Sequence, residues 1–266
     1  MKKIAIILLL ALTFQSHSHA QSPLLDSARH ELYRINNVFD SARYLGFDVN
    51  FTYSSDTTYG KYEYEELTGN YILNRRSIFY QVGPVAFMQN DSFAYDIYED
   101  EKALVMSRHA INSSGSLFPV KAFVDSILSE YAAFYTINLR DENESRILEF
   151  IATDSTVPYY RFAVYYEPQS HYPDKYEVNY LENPEQDVNG QTDVLHPRKK
   201  KIVLNFSNYY HPNSLSVFDD SNYVYYDRAR NQYVPAEKYR LYQFTTLGVN
   251  PDDETQELYP PPGGGQ

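Results

Sequence analysis

Apolar and polar side chains alternate with period two along most of this chain. Phe47, Val49, Phe51 and Tyr53 are separated by Asp48, Asn50 and Thr52, and Phe93, Tyr95 and Ile97 repeat the pattern. Later runs include Phe162, Val164 and Tyr166, then Tyr176, Val178 and Tyr180, then Ile202, Leu204 and Phe206, with Tyr239 and Leu241 last. Such alternation puts one face of a strand in a core and the other in water. Clusters such as "SSDTTYG", "MQND", "DENES", "EPQSHYPD" and "HPNS" separate the runs, so consecutive strands are expected to pair as hairpins. About ten strands result, enough for a sheet to curl. Two segments show helical spacing instead: Leu25, Ala28, Leu32, Ile35 and Phe39, and then Val120, Phe123, Ile127, Tyr131 and Phe134 behind Pro119. The expected fold is mainly β, a strongly curved antiparallel sheet with two amphipathic helices packed on its concave face.

The first twenty residues stand apart. Lys2 and Lys3 precede an apolar run from Ile4 to Leu12, and Ser18-His19-Ala20 has the form of a cleavage site. This reads as a secretory signal over 1–20, cut after Ala20, which leaves a chain exported to the periplasm and starting at Gln21. Residues 21–256 read as one domain and the tail "YPPPGGGQ", within 257–266, as disordered. Loss of Lys2 and Lys3 takes 23 basic residues to 21 against 35 acidic ones, a net charge of −14. Nucleic acid is therefore not an expected partner. There is no cysteine, so neither disulfides nor thiol catalysis enter; 28 tyrosines and no tryptophan suit half-buried strands.

One stretch, "GNYILNRRSIFYQVG" from Gly69 to Gly83, sets Arg75 and Arg76 between two alternating apolar runs. The pair is either the wet bend of a hairpin or a guard over what the apolar face holds. With "FDVNFTY" before it, "QNDSFAYDIYEDEKALV" after it and the helical "FPVKAFVDSILSEY" beyond, the order of elements resembles the periplasmic outer-membrane lipoprotein carrier family, LolA-like. The likeness covers about Leu25 to Tyr135. It implies a half-open barrel with an apolar wall, the helices as a lid, and acyl chains of a lipid or lipoprotein as ligand. An inner- or outer-membrane partner protein is implied as well. On that resemblance Phe47, Phe51, Tyr71, Ile78, Tyr80, Phe93, Tyr95, Phe123, Ile127 and Tyr131 are ligand-binding wall or lid residues, and Arg75 anchors the lid. Asn90-Asp91-Ser92 departs from the family's Asp-Gly turn, and Arg76 from its proline.

Catalytic patterns do not emerge. The histidines beyond the signal, His30, His109, His171, His196 and His211, lie far apart and form no metal-ligand spacing. The carboxylate clusters Glu63/Glu65/Glu66, Glu99/Asp100/Glu101 and Asp141/Glu142/Glu144 fall in turns or on wet faces. No enzyme, cofactor or metal is expected. "HPRKKK" ends in four basic residues, Arg198 to Lys201, which read as the guard of an exposed sheet edge or as a contact for anionic headgroups. The leading functional expectation is a periplasmic carrier of lipid or lipoprotein. The alternative is an exported glycan- or protein-binding module that uses surface tyrosines.

Overall fold

The computed structural model describes residues 23–56, 62–108, 132–157, 159–182 and 198–249. The expected signal, the tail 257–266 and most of the second expected helix, with Phe123, Ile127 and Tyr131, lie outside these residues. The end of that segment, Ala132–Phe134, is a 3-10 turn.

Among the described residues there is one α-helix, α1 (Pro23–Asp40). It is followed by β1 (Leu45–Ser55), β2 (Tyr64–Asn74), β3 (Ser77–Val82), β4 (Val85–Gln89), β5 (Phe93–Tyr98) and β6 (Ala103–Arg108). Then come β7 (Tyr135–Glu142), β8 (Ser145–Ala152), β9 (Tyr159–Tyr166), β10 (Pro173–Glu182) and β11 (Arg198–Tyr210). A small pair, β12 (Val224–Asp227) with β13 (Gln232–Pro235), precedes β14 (Gln243–Leu247). Twelve strands form one curved, open sheet in the order β14-β6-β5-β4-β3-β2-β1-β11-β10-β9-β8-β7. Every pairing is antiparallel except the last, where β14 runs parallel to β6. That exception corrects the expectation of an all-antiparallel sheet. It arises because the chain after β11 crosses the sheet before returning to its edge.

Short turns explain the local order. Asn74 pairs with Ser77, so Arg75 and Arg76 are the two-residue bend of the β2–β3 hairpin, with Arg75 at φ 55°. A bulge in β11, with Asn208 at φ 52°, shifts the β1–β11 register and lays the Tyr210 ring over Gly46, where a β-carbon would meet it at 2.2 Å. A larger residue at position 46 would have to displace that ring.

Two cores flank the sheet. On one face α1 buries Ala28, Leu32, Ile35 and Phe39 against Leu45, Phe47, Leu73, Phe150, Val164 and their neighbours. On the opposite face, Met88, Tyr95, Ile97, Leu104 and Met106 are covered by Tyr223, Val224 and Tyr239 of the C-terminal segment. Tyr239, expected in a strand with Leu241, lies in a 3-10 turn, and Leu241 is 81% exposed.

The basic run "RKKK" is not at an edge. It opens β11, which is hydrogen-bonded between β1 and β10. Lys200 is 2% exposed and its Nζ lies 2.5 Å from Glu63 and 3.1 Å from Glu182, while Arg198 pairs with Glu63 and Lys201 with Glu177. Long-range pairing, which local charge density does not reveal, turned an expected edge guard into an ion-pair cluster in mid-sheet.

Candidate functional site: an aromatic belt

Residues paired across neighbouring strands share a face, and the registers put one ring per strand in a continuous row. Tyr135, Phe150, Phe162, Tyr176, Phe206, Phe47, Tyr71, Tyr80 and Phe87 run from β7 through β11 and β1 to β4, with successive centroids 5.2 to 6.3 Å apart. The β1–β4 stretch is the most regular: Phe47 stacks on Tyr71 at 5.2 Å, Tyr71 on Tyr80 at 5.3 Å and Tyr80 on Phe87 at 5.2 Å. Offset ring pairs of this kind add about 0.5–1.5 kcal/mol each beyond their buried area.

The belt differs in cover along its length. In its middle, Phe39 of α1 stands 5.3 Å from Phe47 and 6.1 Å from Phe206, and both partners are buried. Among the described residues the space directly beneath this helix is filled by side chains: Ile35, Phe39 and Phe47 are all 0% exposed. Toward β4 the rings of Tyr80 and Phe87 are only half-buried, beside Val82 and Phe51 at the border of the same core. The row ends on Asp96, directly paired with Phe87. Burial holds the Asp96 carboxyl above the ordinary carboxylate range. Burial, and then the neighbouring Tyr80, raises the Tyr71 hydroxyl; burial, and then Asp96 and Tyr98, raises that of Tyr80.

Of the residues expected on the wall, Phe47, Phe51, Tyr71, Ile78 and Tyr80 share the helix-bearing face. Phe93 and Tyr95 do not. The β4–β5 register pairs Gln89 with Ala94 and Phe87 with Asp96, which turns Phe93 and Tyr95 to the opposite face. There Tyr95 stacks on Tyr223 at 4.8 Å and donates a hydrogen bond to Asp220 at 3.0 Å. Alternation along a strand fixes which residues go together, but the register decides which face they take. Phe87, and the belt rings on β7 to β11, were not singled out as wall residues. Their alternation was visible, but only the pairing of β1 with β11 joins the two halves into one row.

Arg75 holds the bend through its backbone, whose N–H donates to the Ala42 carbonyl at 2.7 Å, just beyond α1. Among the described residues its guanidinium forms no ion pair or hydrogen bond. Also among them, no cluster of three His, Asp or Glu side chains could hold a metal ion, and no helix is long and apolar enough to cross a membrane.

A pocket of 530 Å³ lies where α1 gives way to β1, with Arg34, Arg43, His171 and His211 among its lining, and its Tyr172 reaches the belt's Phe47 through Tyr209.

No family model matches the chain, and no curated protein does. Among solved structures it is similar to an uncharacterized conserved protein from Thermus thermophilus, at 10% identity and a TM-score of 0.35, over 72% of this chain and 91% of that one. A LolA superfamily protein from Nitrosomonas europaea is matched at 12% identity and a TM-score of 0.26, over 71% of this chain and 96% of the other. In the complex of Pseudomonas aeruginosa MucA and MucB, the match is at 15% identity and a TM-score of 0.31, over 73% of this chain and 60% of the other. Overlaps this loose do not carry residues of one chain onto residues of another.

Proposed function

We propose that this protein is a periplasmic binding protein that holds an acyl chain of a lipid or lipoprotein against the outer part of the aromatic belt. The observation that carries the reading is the row of rings that emerges from beneath α1 and ends half-buried at Tyr80 and Phe87. An alkyl chain laid there would gain about 0.8 kcal/mol for each methylene removed from water. The stretch under α1 is the fixed floor of the domain, and the Tyr80–Phe87 stretch is the exchangeable part. Arg75, at the adjoining bend, is proposed to hold the lid through backbone contacts. No catalytic step is proposed.

The test is direct. Protein purified from the envelope without detergent is extracted with organic solvent and the extract is analysed by mass spectrometry, while the delipidated protein is titrated with a fluorescent fatty acid. Co-purifying acyl chains, and probe uptake weakened by Phe87→Asp, are expected. A protein that carries no acyl chain and takes up no probe refutes the reading. The exposed Tyr62–Tyr64 pair, stacked at 6.3 Å, is where the glycan-binding alternative has its support. Retention on immobilised polysaccharide without acyl uptake selects it.

A further inference from the structure

The 530 Å³ pocket has an unusual chemistry for so acidic a chain. It is built from three separated segments: the end of α1 with the loop into β1, the tip of the β9–β10 hairpin at Ser170 to Tyr172, and His211 just after β11. Its lining includes Arg34, Arg43 and two histidines, and not one aspartate or glutamate. Its floor is different. Val38, Ala42 and Leu45 belong to or pack on the main core, so an apolar base continues into the helix-bearing face.

The donors are not all spent. Among the described residues the Arg43 guanidinium has no ion-pair or hydrogen-bond partner. Arg34 makes one long contact, 3.5 Å to Glu31, and its side chain is 48% exposed. His211 is pinned, with Nδ1 at 2.8 Å from the Tyr44 carbonyl. A carbonyl can only accept, so the proton of that bond sits on Nδ1. Cations near a helix C-terminus often answer the partial charge of the last carbonyls. Here the Asn37 carbonyl already accepts from the Ser41 N–H at 2.9 Å and the Ser41 hydroxyl at 2.5 Å, and that of Phe39 accepts from the Ala42 N–H at 3.2 Å. Arg43 is therefore open to a ligand, while Arg34 and His171, whose Nε2 lies 3.6 Å from Glu31, share that one carboxylate at the pocket's border.

We infer that this pocket binds an oxyanion headgroup, phosphate or carboxylate, carried on an alkyl chain whose first carbons rest on Val38, Ala42 and Leu45. The two guanidinium groups supply charge-assisted hydrogen bonds to the head, and the apolar floor takes the neck of the tail. The tail part of the inference rests on the acyl-binding reading; the head part stands on the pocket alone.

Calorimetry on the delipidated chain in phosphate-free buffer separates the two. The ligands are dodecyl phosphate, dodecanoate, the uncharged dodecyl maltoside and inorganic phosphate. The variants are Arg43→Gln, Arg34→Gln and the pair, with near-ultraviolet circular dichroism as the check of fold. Arg43 has no partner to lose, so its variant is expected to fold. At least one anionic alkyl ligand is expected to bind about tenfold tighter than the maltoside, and each glutamine variant to remove about tenfold of its affinity. The difference should shrink as salt is raised. The two anionic alkyl ligands tell a phosphate head from a carboxylate head. Equal binding of charged and uncharged ligands overturns the pocket assignment and leaves the acyl reading standing. Anionic binding indifferent to both variants also overturns it. Inorganic phosphate bound through Arg43, with no alkyl ligand bound, supports the head assignment and refutes the acyl reading. Binding of none refutes both.

Discussion

Replacing Phe47 by alanine tests the division of the belt into floor and exchangeable wall. Phe47 is 0% exposed and meets Phe39, Tyr71, Phe206 and Tyr209 at centroid distances of 5.3, 5.2, 6.0 and 5.7 Å. Its neighbours come from α1, β2 and β11, all fixed by backbone pairing or helix packing, so the hole cannot collapse easily. Truncating a buried Phe then costs about 3–5 kcal/mol. For a domain of this size that lowers the melting temperature by about 10 °C. Phe87→Ala removes the same atoms from a half-buried ring and is expected to cost about 1–2 kcal/mol. The acyl ligand should respond in the opposite order, with uptake weakened by Phe87→Ala and retained by folded Phe47→Leu. Thermal unfolding followed by tyrosine circular dichroism gives the first pair of values, and fluorescent fatty-acid titration the second. Equal destabilisation by the two alanine variants would refute the division, because it would mean that the belt is one uniform core.

Asp96 offers a pH test. Burial raises its pKa, so the folded state favours the protonated form and stability falls as pH rises past the ordinary carboxylate value of about 4. Asp96→Asn should therefore melt higher than the parent at pH 7 and converge with it in acid, where the parent carboxyl is protonated in both states; an unchanged difference across pH would contradict this. Asn90 uses its amide to donate to the Phe218 carbonyl at 3.0 Å and to Asp220 at 2.8 Å, and its Oδ1 to accept from the N–H groups of Ser92 and Phe93. Asn90→Ala should cost about 1–3 kcal/mol and speed proteolysis within 212–249 ahead of the rest of the chain. The hydrogen bond from Lys200 is the largest cause that holds the Glu63 carboxyl below its ordinary range. In Lys200→Met, NMR titration should show Glu63 moving up toward that range, and a carboxyl that does not move would refute the pairing.

Local pattern determined much of this protein. The period-two runs, the turn clusters and the spacing of Leu25 to Phe39 are enough to mark many of the strands and α1, because each depends on residues a few positions apart, but not β12 to β14, and the Tyr239–Leu241 pattern belongs to a 3-10 turn. The bend at Arg75 and Arg76 was one of two readings that the local pattern left open, and the pairing of Asn74 with Ser77 places it. Tertiary structure decided the rest. Which face Phe93 and Tyr95 occupy depends on the β4–β5 register, and the second core beneath them depends on a segment more than a hundred residues later. The basic run became a mid-sheet ion-pair cluster around the buried Lys200 only because β11 pairs with β1, and that same pairing completes the belt. The cationic pocket draws Arg34, His171 and His211 from distant positions. Such features are sums over contacts between separate segments, and alternation along a single strand carries no record of the partner it will meet.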